Sequence, residues 1–428
     1  MSTSPLLYKM INYSNRQISY SAEGIFSSMY DNQHTIANLT PEGKQTLTLD
    51  QQGTGDINPF WINLISNNSA ADYNSDVTFT PKLTEAGALF HYYSQFEKTF
   101  IDVKTALVQC KSEVTIDEVG GGNGLNSGIL NAQQAFTQDS WNYGKIGESN
   151  QVTGLDNIEL RVGGYTEISN QSAYDIFFSG FGIVEAPTGS GTKAEWLFEP
   201  QVGTNHWGIG LGAETLFTND NGLKVMVAGN YRYLAPAFET RSFDLTDNGA
   251  WSRYLLLQYN YDLPNSPVAG VSGINYLTQS AYIKGRNELN LYARLQKECN
   301  SCSFELSYNY LYAQQETIGS TAALSVDYGI YTLAGPSGGG GGATTSSTAT
   351  INQSTTASDA TPIQLTSSML DKASAQAGSY STSSITARIE KSNENFVYGL
   401  GANVNIAQSA SALSTWAVWA KFELLFDN

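Results

Sequence analysis

Apolar and polar residues alternate one for one along this chain, in segments of about ten to fourteen residues, and few folds accept that pattern. Phe396, Tyr398, Leu400, Ala402, Val404 and Ile406 share one parity, while Gly399, Gly401, Asn403 and Asn405 hold the other. Trp416, Val418, Ala420, Phe422, Leu424 and Phe426 do the same against Lys421 and Glu423. Further upstream, Trp207, Ile209, Leu211, Ala213 and Phe217 oppose Gly208, Gly210, Gly212 and Glu214. Leu223, Val225, Val227, Tyr231 and Tyr233 oppose Lys224, Asn230 and Arg232, and Phe304, Leu306, Tyr308, Tyr310 and Tyr312 oppose Glu305, Ser307 and Asn309. Successive side chains of a strand point to opposite faces, so each segment reads as a strand with one dry and one wet face. Helical periodicity is confined to 129–141 and 367–377, read as loop decoration.

The spacing of these segments carries the next inference. Strands are expected near 17–29, 77–93, 99–114, 157–169, 174–186, 206–218, 223–235 and 251–262, then 268–281, 288–299, 303–314, 384–391, 396–407 and 414–427. Links after odd-numbered strands are long (30–76, 115–155, 187–205, 236–250, 315–383) and those after even-numbered strands are short (94–98, 170–173, 219–222, 263–267, 300–302, 392–395). Turn chemistry such as Asn219-Asp220-Asn221-Gly222 and Pro264-Asn265-Ser266-Pro267 marks the short ones. Long loops on one side and tight turns on the other define a transmembrane barrel. The expected fold is therefore all-β: one closed antiparallel transmembrane β-barrel of about 14 strands, within a range of 12–16, formed by residues 1–428 as a single domain. The segment 268–281 is accepted partly because the long–short alternation needs it. Within the last long loop, 335–384 is a low-complexity stretch that opens with Gly338–Gly342 and runs rich in Ser, Thr and Ala. It has too little apolar surface to offset its ordering entropy.

Composition agrees with a membrane barrel. Charged residues make up 14% of the chain, against about 25% in an ordinary soluble domain, so something other than charge must cover the surface. The mean hydropathy of -0.25 does not oppose this, because alternating strands average out. A net charge of -17 excludes a phosphate-neutralising stripe, so no nucleic-acid partner is expected. The expected partners are the lipid bilayer with its outer-membrane lipids and small-molecule solutes, with a homo-oligomer left open. Localisation follows as the bacterial outer membrane, with the signal peptide taken as removed from the sequence in hand.

The last strand resembles the C-terminal signature of outer-membrane barrels, alternating apolar residues that end on an aromatic, here Phe422, Leu424 and Phe426; Asp427 and Asn428 after it depart from the pattern. The middle of the chain, with Gly182 to Gly189, Phe198 to Gly203 and Trp207 to Gly212, is similar to outer-membrane transporter-like proteins. Asn58-Pro59-Phe60 resembles a hatch motif of the fatty-acid transporter barrels, which implies a segment such as 57–64 or 1–16 inside the lumen.

Catalytic chemistry is hard to assemble. His34, His91 and His206 stand far apart without a ligand pattern, so no metal site is expected and the three read as interfacial or loop residues. Gly189-Ser-Gly-Thr-Lys193 is not a P-loop. Asp244-Leu-Thr246-Asp-Asn248-Gly249 imitates a calcium loop but has Leu255 where a bidentate Glu belongs. No catalytic residue, no cofactor and no enzymatic activity are therefore expected. Cys299 and Cys302 flank a tight turn, either as a structural disulfide of an oxidising compartment or as two free thiols.

The lumen is where function is expected. If the apolar faces meet lipid, then Glu159, Arg161, Glu167, Glu214, Lys224, Arg232, Arg294, Glu305, Arg388, Lys421 and Glu423 line the interior. Charges of both signs in a narrow tube set up a field that orients a passing solute. They also serve to fill a closed barrel by pairing with one another. The sequence thus points to an outer-membrane channel or passive transporter for small solutes. A structural or self-assembling surface β-protein without transport activity is the alternative.

Overall fold

The computed structural model describes residues 18–51, 53–64, 73–121, 128–147, 149–169, 174–259, 270–324, 327–330, 349–352 and 363–426. Twelve long strands appear among them: β1 (Ile18–Asp31), β2 (Asn74–Phe96), β3 (Thr99–Gly121), β4 (Ile158–Ser169), β5 (Tyr174–Ala186) and β6 (Gly208–Asn219), then β7 (Leu223–Leu234), β8 (Arg286–Cys299), β9 (Cys302–Ala313), β10 (Tyr380–Ser392), β11 (Phe396–Ala407) and β12 (Ser414–Phe426). Each pairs antiparallel with its neighbour in sequence, and β1 pairs with both β2 and β12, so the sheet closes on itself. Closure removes every edge, which is what a sheet in lipid requires, because hydrocarbon offers no partner for an open backbone group. Tight turns lie at one mouth, where Ile18, the first described residue, stands opposite Phe426, the last. Long links lie at the other. The architecture is that of the bacterial outer-membrane barrels.

The wall shows which solvent it faces. Ile209, Leu211 and Leu400 are 63%, 67% and 62% exposed and belong to an apolar belt that also includes Val227, Leu295, Leu306, Ile385 and Val418. A soluble monomer seldom exposes a contiguous apolar patch beyond a few hundred Å². Here the belt is the lipid-facing parity of the strands. Trp207, Tyr233, Tyr312, Phe396 and Trp416 are exposed near strand ends, where ring side chains suit the headgroup region.

The strand number is twelve, inside the expected range of 12–16 and two below its centre, and the two segments that drop out share a cause. The described parts of segments 251–262 and 268–281 do not enter the barrel. Their described residues form short strands, Leu256–Tyr259, Val271–Ser272 and Thr278–Ile283, and a turn of helix at Ile274–Leu277, all above the mouth. Leu255, Leu256 and Leu257 are buried in succession, which a half-buried wall strand does not allow. The turn expected at 263–267 lies outside the described residues, as do the turn at 170–173 and two parts of the low-complexity stretch (335–348 and 353–362).

The barrel is also taller on one side. β2 and β3 are 23 residues each and pair from Asn74–Gly121 down to Phe96–Thr99. A membrane crossing needs roughly 9 to 11 residues, so half of this hairpin stands clear of the bilayer. Its upper part is widened by two further strands, Thr46–Asp50 on β2 and Asn150–Leu155 on β3.

Against this projecting hairpin the long links fold into a cap. One apolar cluster joins Leu47, Ile57, Trp61 and Ile62 to Val77 and Phe79 of β2, Phe136 and Trp141, Trp251 and Tyr254, Ile274 and Leu277, and Ile318, Ile330 and Leu370. Each fully buried Val, Leu, Ile or Phe contributes roughly 1.5 to 3 kcal/mol, so the long links are a folded body and not decoration. The stretches expected as loop helices give the helix Ala132–Phe136 and two single turns, Ser367–Met369 and Ala373–Ala375. Residues 57–64 sit in the cap core, with Asn58 capping the turn Pro59–Ile62 by accepting from the Phe60 amide.

Candidate functional site: a charged lumen beneath a cap

The parity that sends apolar residues to lipid sends charges inward. Glu159 and Arg161 on β4, Glu214 on β6, Arg294 on β8, Glu305 on β9, and Lys421 and Glu423 on β12 are all buried. Arg232 on β7 and Arg388 on β10 join them with nearly covered side chains. Lys224 lies at the short-turn rim, 2.6 Å from Glu298. Glu167 shares the inward parity of β4 but is exposed close to its short-turn end.

A buried charge without a partner costs several kcal/mol, and these have partners. Along β8 to β12, Arg294 and Arg388 both contact Glu305, Arg388 reaches Glu390 at 3.4 Å, and Lys421 bridges Glu390 at 2.7 Å and Glu423 at 2.9 Å. A second chain crosses the opposite wall. His91 on β2 lies 2.6 Å from Asp102 on β3, Lys104 stands between Asp102 at 3.6 Å and Glu159 at 3.8 Å, and Glu159 pairs with Arg161 at 2.6 Å and Arg232 at 3.3 Å. Arg232 also holds Glu185 on β5, and Glu288 on β8 at 2.8 Å. From Glu288 the chain climbs to the cap through Arg286, Glu316, Arg241, Glu239 and His206. Between the two networks, Ile25, Glu85, Gly87, Leu89, Ala106 and Val108 of β1 to β3 surround a hollow of about 20 Å³.

Above the membrane, charge and burial compete at His206. Burial pulls its pKa down, but the Glu239 carboxylate 3.2 Å away and the Ala235 carbonyl hold it above the ordinary value. Burial likewise raises Glu239, yet His206, Arg241 and Arg286 outweigh it and bring the carboxyl down to about 2. Inside the cap, Asp244 accepts two hydrogen bonds from the Arg253 guanidinium, each 2.8 Å, and a third from the Arg253 amide. Asn248 donates to the Ala349 carbonyl. The calcium-like segment therefore spends these two side chains on structure. Among the described residues no group of three or more His, Cys, Asp or Glu is placed to hold a metal ion.

Sequence parity gave all of the first network except Glu390, but only Glu159, Arg161 and Arg232 of the second. Asp102, Lys104 and His91 were legible by the same rule as Glu159, since they alternate with Ile101, Val103, Phe90 and Tyr92. Two histidines taken for interfacial or loop residues, His91 and His206, are buried in ion pairs. Arg286, Glu316, Arg241 and Glu239 carried no signal, because they follow bends where the alternation lapses. Cys299 and Cys302 stand directly opposite across a two-residue turn with Asn300 at φ 51°, both as free thiols.

No family model and no curated protein matches this chain. Solved structures similar to it include an outer membrane channel from Pseudomonas putida F1, 8% identical over 99% of this chain and 100% of that one, with a TM-score of 0.43. The transport unit of the autotransporter AIDA-I from Escherichia coli is 9% identical over 99% and 94%, with a TM-score of 0.35. The Pseudomonas putida toluene transporter TodX is 7% identical over 96% and 88%, with a TM-score of 0.30. At these scores the likeness carries no argument about function.

Proposed function

We propose that this chain is an outer-membrane channel or passive transporter for small solutes, held closed at rest. The observation that carries the reading is the pairing of a charge-lined interior with a separately cored cap over one mouth. Twelve strands enclose more space than the eight whose side chains nearly fill a small barrel. A barrel serving only as a scaffold has no need to roof that space with an apolar-cored body. Charges of both signs beneath the roof would orient a polar or dipolar solute as it passes. No reaction is part of this reading.

The test is conductance of the purified protein in a planar bilayer. Brief openings from a closed baseline are expected, with sustained current once the 236–284 link is shortened to a tight turn. A shortened barrel that still shifts on heating in a gel, yet passes no current, would favour the structural alternative. Lattices or filaments formed by the purified protein would strengthen that alternative further.

We also infer that Cys299 and Cys302 oxidise to a disulfide in the periplasm by exchange with a disulfide oxidant, which takes both hydrogens and both electrons and leaves as a dithiol. Intact mass before and after reduction tests it, and free thiols in protein taken directly from the membrane would overturn it.

A further inference from the structure

We propose that β7, β8 and β9 share a hinge line at the outer mouth, about which their upper ends move as a flap braced by Glu316. The cap contains a three-stranded sheet of Ala237–Ser242, Thr278–Ile283 and Ile318–Thr321. These segments directly extend β7, β8 and β9. Leu234 pairs with Arg286 below the break and Ala237 with Ile283 above it, so both chains advance by the same number of residues. Glu288 pairs with Ala313 below and Ile283 with Ile318 above, again without slippage. One sheet therefore runs through, and all three strands leave regular geometry at the same height.

The residues at that height suit a bend. Pro236 has no amide hydrogen to give to the ladder. Gly285 lies so close to the neighbouring strand that a Cβ there would meet the Tyr233 hydroxyl at 2.1 Å and the Leu234 carbonyl at 2.7 Å. Two backbone bonds, Lys284 to Thr317 and Gln314 to Asn287, keep the strands side by side across the crease.

Glu316 ties the two sides together. It is 4% exposed, and its carboxylate receives Arg286 at 3.1 Å from below, Arg241 at 3.0 Å from above, and the Ala377 amide at 3.1 Å from the segment leading into β10. Each arginine has a second carboxylate on its own side of the crease, Glu288 for Arg286 and Glu239 for Arg241. Parting Glu316 from Arg241 alone therefore strands neither group, since Arg241 keeps Glu239 and Glu316 keeps Arg286 and the Ala377 amide, which makes this a joint that can open and reform. Above the crease, Ala281, Ile283 and Ile318 seat the flap on the cap core.

The proposal rests on the channel reading only for its effect on current, so the experiment has two readouts. Backbone hydrogen exchange and bilayer conductance are measured on full-length protein carrying Glu316→Gln, Arg241→Gln or both, with Glu423→Gln as a lumen control. Each single variant should speed exchange on the order of tenfold in 237–242, 278–283 and 318–321 together, the double variant should add little, and the lower halves of β7 to β9 should not change. Arg241→Gln keeps the test alive if Glu316→Gln fails to fold. Unchanged flap exchange, or a rise spread equally down β7 to β9, overturns the hinge. Faster flap exchange with no current in any variant upholds the hinge and sinks the channel. Current that is unaffected by either variant, with flap exchange unchanged, does the reverse.

Discussion

The cap and the barrel are built by the same chain on opposite plans. The cap buries Trp61, Trp141, Phe136 and Trp251 and turns polar residues to water, while the barrel buries Glu, Arg and Lys and turns Leu, Ile and Phe outward. The difference comes from what lies outside each. Water drives apolar groups in, whereas lipid is as apolar as any side chain and leaves polar groups nowhere to go but the lumen. The consequence is two kinds of core. The cap is held by close packing, which fails by cavity, and the barrel interior by charge pairing, which fails by leaving an ion alone.

The sharpest way to break this comparison is Trp251→Ala. Its ring meets Phe79, Phe136 and Tyr254, and its indole donates to the Leu39 carbonyl. The cap should lose about 3 to 5 kcal/mol by hydrogen exchange, while the barrel keeps its heat-modifiable mobility on a gel. If the barrel loosens equally, the two cores are one. In the barrel the counterpart is Glu305→Ala, which leaves Arg294 and Arg388 without their shared carboxylate. Urea unfolding in detergent should show a loss of about 3 to 5 kcal/mol, largely recovered when both arginines are also replaced by leucine. Failure of that recovery would mean the charges do more than pair. On the lipid side, Leu306→Arg should cost about 2 to 4 kcal/mol in bilayers. A negligible cost would place Leu306 outside the hydrocarbon.

The smallest expected effect is on pH. Glu239 has its carboxyl lowered to about 2, so its contribution is complete above the ordinary 4.5 and drains as pH falls toward 2. His206 has its pKa raised, so its contribution is complete below the ordinary 6.5 and is lost as pH rises through the raised value. Arg241 and Arg286 face the pair. Cap exchange, corrected for its intrinsic pH dependence, should be slowest between these limits and faster at pH 8, with Glu239→Gln flattening the profile. A flat profile in the native protein would show that His206 adds nothing.

The barrel was legible because lipid and lumen write one rule into every wall strand. Leu400 beside Gly401, or Glu305 beside Leu306, states its face without reference to any other residue. The cap was not, since its core is collected from short runs far apart in sequence, and no one of them buries enough alone. Leu255-Leu256-Leu257 therefore read as a wall strand, and the count rose by two. Aromatic residues inside supposed loops, Phe60, Trp61 and Trp141, were the available signal. Of the lumen networks, the parity rule named Glu159, Arg161, Glu305 and Lys421, but it said nothing of residues beyond the crease.

Ring closure between β1 and β12 has a consequence for how the molecule comes into being. Its first described strand finds its second neighbour only in the final one, so loop-closure entropy falls due before that contact returns anything. No shorter length of this chain is a smaller working version of it. Until the last strand arrives, two open edges and the scattered apolar runs of the cap coexist in one molecule. Keeping those edges from pairing with other chains during that interval is as much a demand of the sequence as any contact in the finished ring.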